Sequence, residues 1–181
     1  MQFEIDFIVA LQSVASEGLT VFFEMISLLG SYLGFIILFL IFFILNRKLS
    51  YVFGVCFLGG VGLNYLLKWI IGRDRPYVTH PEIVNLTQTI GESMPSSHAL
   101  CVVILSIFLC YFVFTATKKP LYRTLAATGM SILTLLTFVS RLYLGLHYLT
   151  DILVGAIIGA GIAFLGILWL EKRRAKHAEQ K

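Results

Sequence analysis

Three short clusters of polar side chains interrupt an otherwise oily sequence: Lys68 with Arg75; Ser96, Ser97 and His98 behind Pro95; and Ser140-Arg141 with His147 and Asp151. Each offers part of the chemistry of phosphate. Gly72 and Pro76 are residues that end helices, so the chain is expected to break between Lys68 and Arg75 and let both cations converge on one anion. Proline is pre-set for the first helical position, which puts Ser96, Ser97 and His98 in the first turn of a helix opening at 95. Unpaired backbone N–H groups and the helix dipole attract anions there. The two hydroxyls add donors, and an imidazole at position 98 can give or take a proton near neutral pH.

The third cluster supplies a nucleophile. His147 and Asp151 are four residues apart, which places them on one face of an expected helix. The carboxylate would accept the imidazole Nδ1–H, fix its tautomer and leave Nε2 free to attack phosphorus. Arg141, in the turn before, brings a planar fork that grips phosphate oxygens. Together these groups make a site for phosphoryl transfer, with His98 as the acid. That reaction is catalysed mostly by positioning and by stabilising charge on the equatorial oxygens. Lys68, Arg75 and Arg141 carry the positive charge that a divalent ion carries elsewhere, so no metal or other cofactor is expected.

The elements that must hold these residues are membrane spans. Of 181 residues, 58% are hydrophobic and 13% charged, with a mean hydropathy of +0.88, which excludes an ordinary soluble domain. Apolar runs near the ~20 residues needed to cross a bilayer cover 30–46, 49–71, 95–115, 121–140 and 147–170. Residues 3–29 are apolar too, but Glu4, Asp6, Glu17 and Glu24 interrupt them. They read as a sixth span or as an interfacial helix followed by a short membrane-entering one, and six crossings are expected. The fold class is therefore an all-α integral membrane bundle forming one domain over 1–181: an N-terminal helical segment 1–29, core spans 30–170 and a basic tail 171–181. Cys56, Cys101 and Cys110 lie inside spans and form no disulfide or metal pattern.

Ten of the 14 basic residues mark one side of the membrane: Arg47 and Lys48; Lys118, Lys119 and Arg123; and Lys172, Arg173, Arg174, Lys176 and Lys181. By the positive-inside rule these ends are cytoplasmic. Lys68, Arg73, Arg75 and Arg141 break the sorting and thread to the outer face, where all three clusters meet. The expectation is a multi-pass plasma-membrane protein with its site facing outward and its tail in the cytoplasm. Its partners are a membrane lipid phosphate and the bilayer, with no nucleic acid. The loop 73–93, including His80, reads as a solvated connector, with a lid over the site as the alternative.

Read in order, the motifs are Lys68-x6-Arg75-Pro76, Pro95-Ser96-Ser97-His98 and Ser140-Arg141-x5-His147-x3-Asp151. In these residues and spacings the chain resembles the type 2 phosphatidic acid phosphatase superfamily, across most of its length. The resemblance implies that His147 forms a phosphohistidine, that Asp151 orients it, and that His98 protonates the leaving lipid oxygen and then activates water. It implies further that Lys68, Arg75, Arg141, Ser96 and the backbone of Ser97 hold the phosphate. Ser97 departs from the family's usual glycine, which leaves its side chain without an assigned role. Small members of the family imply phosphatidylglycerophosphate or undecaprenyl diphosphate as substrate, with overlapping activity on phosphatidic acid. The same cations would also serve a membrane anion-binding transporter or a lipid phosphotransferase. A transporter, however, needs neither the His–Asp pair nor the second histidine.

Overall fold

The computed structural model describes residues 2–179, and its regular elements are all helical. In chain order they are α1 (Gln2–Gln12), α2 (Glu17–Leu29), α3 (Tyr32–Leu45), α4 (Arg47–Ile71), α5 (Pro76–Thr79), α6 (Ser97–Ala116), α7 (Pro120–Tyr143) and α8 (Leu149–Glu179). The last two residues of the basic tail lie outside the described residues. The chain is a multi-pass membrane protein, with five stretches among the described residues long and apolar enough to cross a bilayer.

The N-terminal segment does not add a sixth crossing. At 11 residues, α1 is about half the length a span requires. Instead α2 and α3 form one broken span, Glu17–Leu45, of 29 residues. The break is a turn at Gly30–Ser31, where the backbone N–H of Gly30 still reaches Ile26 O (2.9 Å) and the Ser31 hydroxyl donates to Ser27 O (2.8 Å). The backbone ladder is interrupted there and resumes where Phe35 N donates to Ser31 O at 2.9 Å. α1 lies against the end of α7 that carries Arg141, where Gln12 Nε2 donates to the carbonyls of Val84 (2.7 Å) and Tyr143 (3.0 Å).

Local signals fix the helix ends that matter. Asn46 caps α4 by accepting from Leu49 N at 3.1 Å. Gly72 ends α4 in the left-handed conformation (φ 59°), a region costly for a residue with a Cβ. Ser96, not Pro95, is the cap of α6, so that helix opens two residues later than the proline suggests. α6 runs through the centre, packed on α3, α4, α7 and α8. Its Leu100, Ile104, Leu105 and Phe108 meet Phe42, Phe53 and Phe57 in the main core. α8 approaches α6 through glycines: a Cβ at Gly159 would stand 2.6 Å from Leu100 O, and one at Gly155 would collide with the backbone of Ser96. Small residues allow this closeness between membrane helices, and here it brings the start of α6 against the start of α8. Large side chains on the outer faces, such as Ile44, Val55 and Leu58, are exposed, as a lipid-facing surface requires.

Candidate active site

Alternating helix directions gather the three clusters at one end of the bundle, with Arg47, Lys48, Lys119, Arg123 and Arg173 at the other. Lys68, Arg75, Ser97, His98, Arg141 and His147 line a single cavity of about 310 Å3. Lys68 stands in the last turn of α4 and Arg75 follows the Gly72 break, so the expected convergence of these two cations is observed.

The groups around His147 are more numerous than its own sequence neighbourhood suggests. His147 is not on the helix with Asp151: it sits in the link between α7 and α8, and α8 begins at Leu149. Asp151, fully buried in the first turn of α8, turns back on that link and accepts from Tyr148 N at 2.9 Å. Its Oδ2 stands 3.6 Å from His147 Nδ1. The hydroxyl of Ser93 lies beside both, 2.5 Å from Asp151 Oδ2 and 3.5 Å from His147 Nδ1. Catalytic hydrogen bonds are often long in the unliganded state and tighten with substrate. With Nδ1 turned toward Asp151 and Ser93, Nε2 is the nitrogen available to phosphorus. His98 makes no hydrogen bond among the described residues and is half-buried at the start of α6, so both its nitrogens can serve a substrate.

Asp151 is held from its other side by a residue that received no role from the sequence. Arg73 Nη1 donates to Asp151 Oδ1 at 2.6 Å and to Thr150 Oγ1 at 2.8 Å, and its guanidinium lies 4.0 Å from the centre of the Tyr148 ring. Occupying Oδ1 leaves Oδ2 directed to His147. Arg73→Ala is therefore expected to lower kcat by up to about 10²-fold through misplacement of Asp151, with little change in KM. Arg73→Lys should restore part of the loss. A drop in KM affinity with kcat intact would instead make Arg73 a phosphate ligand.

The loop 73–93 is solvated over much of its length, yet it does more than connect. Thr89, Ile90, Gly91 and Glu92 line the cavity. Lys68 Nζ donates to Glu92 O (2.5 Å) and Ser93 O (3.1 Å), while Arg75 donates to Gly91 O (2.8 Å) and Leu146 O (3.1 Å). The loop's carbonyls thus aim the two cations. Arg141, in the last turn of α7, donates to Ser140 Oγ at 3.2 Å and to Ser27 Oγ of α2. Ser27 gave no signal in the sequence, because a serine within an apolar run reads as helix interior.

Two serines part company. Ser96 is fully buried, is absent from the cavity lining, and uses its hydroxyl to cap α6 by accepting from Ala99 N. Its place as a phosphate donor remains an expectation, since accepting from Ala99 N leaves the hydroxyl proton uncommitted. Ser97 does line the cavity, and its hydroxyl donates to Asn64 Oδ1 at 2.5 Å. Asn64, fully buried on α4, also donates to Pro95 O at 3.3 Å, tying the start of α6 to α4. The side chain that replaces a glycine thus acts as a brace.

His147 lies outside the spanning segments, and burial pushes its pKa down to about 4, with Arg75 and Lys68 acting in the same direction and Asp151 opposing them. A base with a lowered pKa stays neutral, and so nucleophilic, as pH falls. On the acid side kcat/KM should hold from pH 7 to about 5 and decline toward 4. Half-loss near 6.5, the ordinary histidine value, would show that the free site is not the dry pocket described here.

A family model described as the PAP2 superfamily matches residues 47–175. The chain belongs to that superfamily. Among curated proteins it is similar to a PAP2 relative from Bacillus subtilis, undecaprenyl-diphosphatase BcrC, with 27% identity over 66% of this chain and 57% of that protein. It is 30% identical to Bacillus subtilis phosphatidylglycerophosphatase B over 57% of this chain and 49% of that protein. A Schizosaccharomyces pombe palmitoyl-protein thioesterase-dolichyl pyrophosphate phosphatase fusion is 29% identical over 62% of this chain and 18% of that protein. The matched stretch thus spans about half the length of the bacterial relatives and under a fifth of the yeast one. Among solved structures, the transmembrane PAP2-type phosphatidylglycerolphosphate phosphatase of Bacillus subtilis superposes with a TM-score of 0.78 at 24% identity, over 94% of this chain and 86% of that one. Aquifex aeolicus LpxE gives 0.72 at 21% identity, over 90% and 93%. At these identities the superpositions establish the PAP2 membrane fold.

Proposed function

We propose that this PAP2 protein is a metal-independent lipid phosphate phosphatase that removes the terminal phosphate of phosphatidylglycerophosphate, undecaprenyl diphosphate or both. The observation that carries the reading is the meeting of Lys68, Arg75, Arg141, His98 and His147 on one cavity, with Asp151 behind His147. A phosphomonoester and a diphosphate present the same terminal phosphoryl group to such a site, and relatives named for each activity share the family. The three cations and the N–H groups at the start of α6 would bind that group. His147 Nε2 attacks phosphorus as the bond to the lipid oxygen breaks, and His98 gives that oxygen a proton. His98, now neutral, takes a proton from water as the water oxygen attacks phosphorus and the P–N bond breaks, releasing inorganic phosphate and free His147.

The positive-inside distribution supports a site on the outer face with the tail in the cytoplasm. The lack of a soluble domain in the described residues favours a substrate whose tails remain in the bilayer while its headgroup meets the cations.

The test is a single turnover by the purified full chain in chelator, with each lipid labelled on its terminal phosphate. The expected result is acid-labile label on the protein, formed and lost at rates consistent with kcat. A strict requirement for Mg²⁺ would remove the argument that side-chain cations suffice. Comparing kcat/KM for phosphatidylglycerophosphate, undecaprenyl diphosphate and phosphatidic acid ranks the substrates.

A further inference from the structure

Tyr32 and Tyr65 line the catalytic cavity together with Lys68, Arg75, Arg141 and the two histidines, yet no step of the reaction above uses them. Tyr32 opens α3 directly after the turn at Gly30–Ser31, and Tyr65 stands on α4 three residues before Lys68. Their side chains interact across the seam between α3 and α4, and both rings are exposed within stretches long enough to cross a bilayer. Among the described residues neither hydroxyl has a further hydrogen-bond partner. When one phenol donates to the other, one proton of the pair is left for a ligand.

Depth indicates which part of a substrate meets that proton. Three residues of helix put Tyr65 about 4.5 Å further into the membrane than Lys68. Tyr32 lies below its own cation in the same way, because Ser27, which accepts from Arg141, precedes it on the broken span. With the terminal phosphoryl group among Lys68, Arg75 and Arg141, the two phenols face the atoms that follow it toward the lipid tail. In a diphosphate that place holds a second phosphoryl group, joined through one bridging oxygen. In phosphatidic acid it holds carbon, and in phosphatidylglycerophosphate the second phosphate lies beyond a glycerol. An inner phosphoryl group is anionic and needs donors, but another cation a turn deeper in lipid is costly. A phenol donates without carrying charge and keeps its ring in apolar surroundings.

We infer that Tyr32 and Tyr65 form the subsite for the inner phosphoryl group of a lipid diphosphate, and that this pair favours diphosphates over phosphomonoesters. The inference rests on the phosphatase reading above and narrows its substrate class. As His147 Nε2 bonds to the terminal phosphorus, the bond from that phosphorus to the bridging oxygen breaks. His98 gives the bridging oxygen its proton, and the phenols meet the charge that remains on the departing lipid phosphate.

The experiment compares kcat/KM of the purified full chain on undecaprenyl diphosphate and on phosphatidic acid, for the wild type, Tyr32→Phe, Tyr65→Phe and the double variant. Loss of the hydroxyls should lower the diphosphate value about tenfold relative to any change on phosphatidic acid, as expected on losing a hydrogen bond to a charged group. Each single variant should move the ratio the same way by less. Phenylalanine keeps both rings, and Tm of each variant separates lost binding from lost folding. Equal losses on the two lipids, no loss on the diphosphate, or a wild type that hydrolyses phosphatidic acid alone would overturn this inference and leave the phosphatase reading intact. A wild type that hydrolyses neither lipid would overturn both.

Discussion

Replacing His147 by alanine is expected to lower kcat by roughly 10⁴-fold or more, the scale on which a covalent nucleophile matters, and to abolish acid-labile phosphate on the protein. No other group in the cavity can take its place. His98 has no carboxylate to fix its tautomer or to stabilise the imidazolium, whereas His147 has Asp151 at 3.6 Å and the Ser93 hydroxyl at 3.5 Å. The contrast between the histidines sharpens the test. His98→Ala should slow protein phosphorylation by a lipid phosphate, whose alkoxide leaves poorly without a proton. It should do so much less with an aryl phosphate, whose phenolate leaves unaided. Hydrolysis that survives His147→Ala, with Tm unchanged, would sink the covalent route and restore the anion-carrier reading.

Asp151→Asn should cost nearly as much, about 10⁴-fold in kcat by comparison with the loss when a histidine's orienting aspartate is amidated. The shape is preserved, but the amide must face donors on every side: Arg73 Nη1 at 2.6 Å, Ser93 Oγ at 2.5 Å and Tyr148 N at 2.9 Å. One of these contacts becomes donor against donor. Stability should also fall, by less than the ~3–5 kcal/mol of breaking a fully buried pair, because the Arg73 side chain is 24% exposed and water can take over part of its solvation. A pH profile distinguishes catalytic loss from general loosening. Asp151 is a group that raises the His147 pKa, so its removal should move the acid limb of the residual activity to still lower pH. A limb that moves up toward 6.5 would indicate that water has entered a loosened site.

The predicted sensitivity of Arg73 and Asp151 follows from contacts that link distant parts of the chain. Arg73 and Asp151 are 78 residues apart, and Ser93 and Asp151 are 58 apart. α1 joins the same region from the far N-terminus: Glu4 Oε1 accepts from Thr150 N at 3.0 Å, supplying one of the unpaired N–H groups of the α8 first turn with an acceptor. An acidic residue in an apolar N-terminal stretch looked like an interruption of a span. It is instead a cap for another helix.

By itself the sequence determined the membrane class, the helix break at Gly72 and the cations and histidines that line the cavity, because each rests on short-range chemistry. A run of apolar residues needs lipid, a glycine adopts φ 59° readily, and cations and imidazoles announce themselves by type. Spacing could also place His147 four residues from Asp151, but periodicity alone could not say that the helix starts between them. Only the tertiary structure decided that Arg73 and Ser93 hold Asp151, that Ser96 caps a helix while Ser97 braces Asn64, and that Gly91, Glu92 and Ser93 present carbonyls to Lys68 and Arg75. It also decided that residues 17–45 make one bent span, turned at Gly30–Ser31, where the Ser31 hydroxyl bonds back to Ser27 O. The physical reason is common to all of these. A polar group's role depends on which partner reaches it first, and here the partners come from segments brought together by the close packing of α8 on α6.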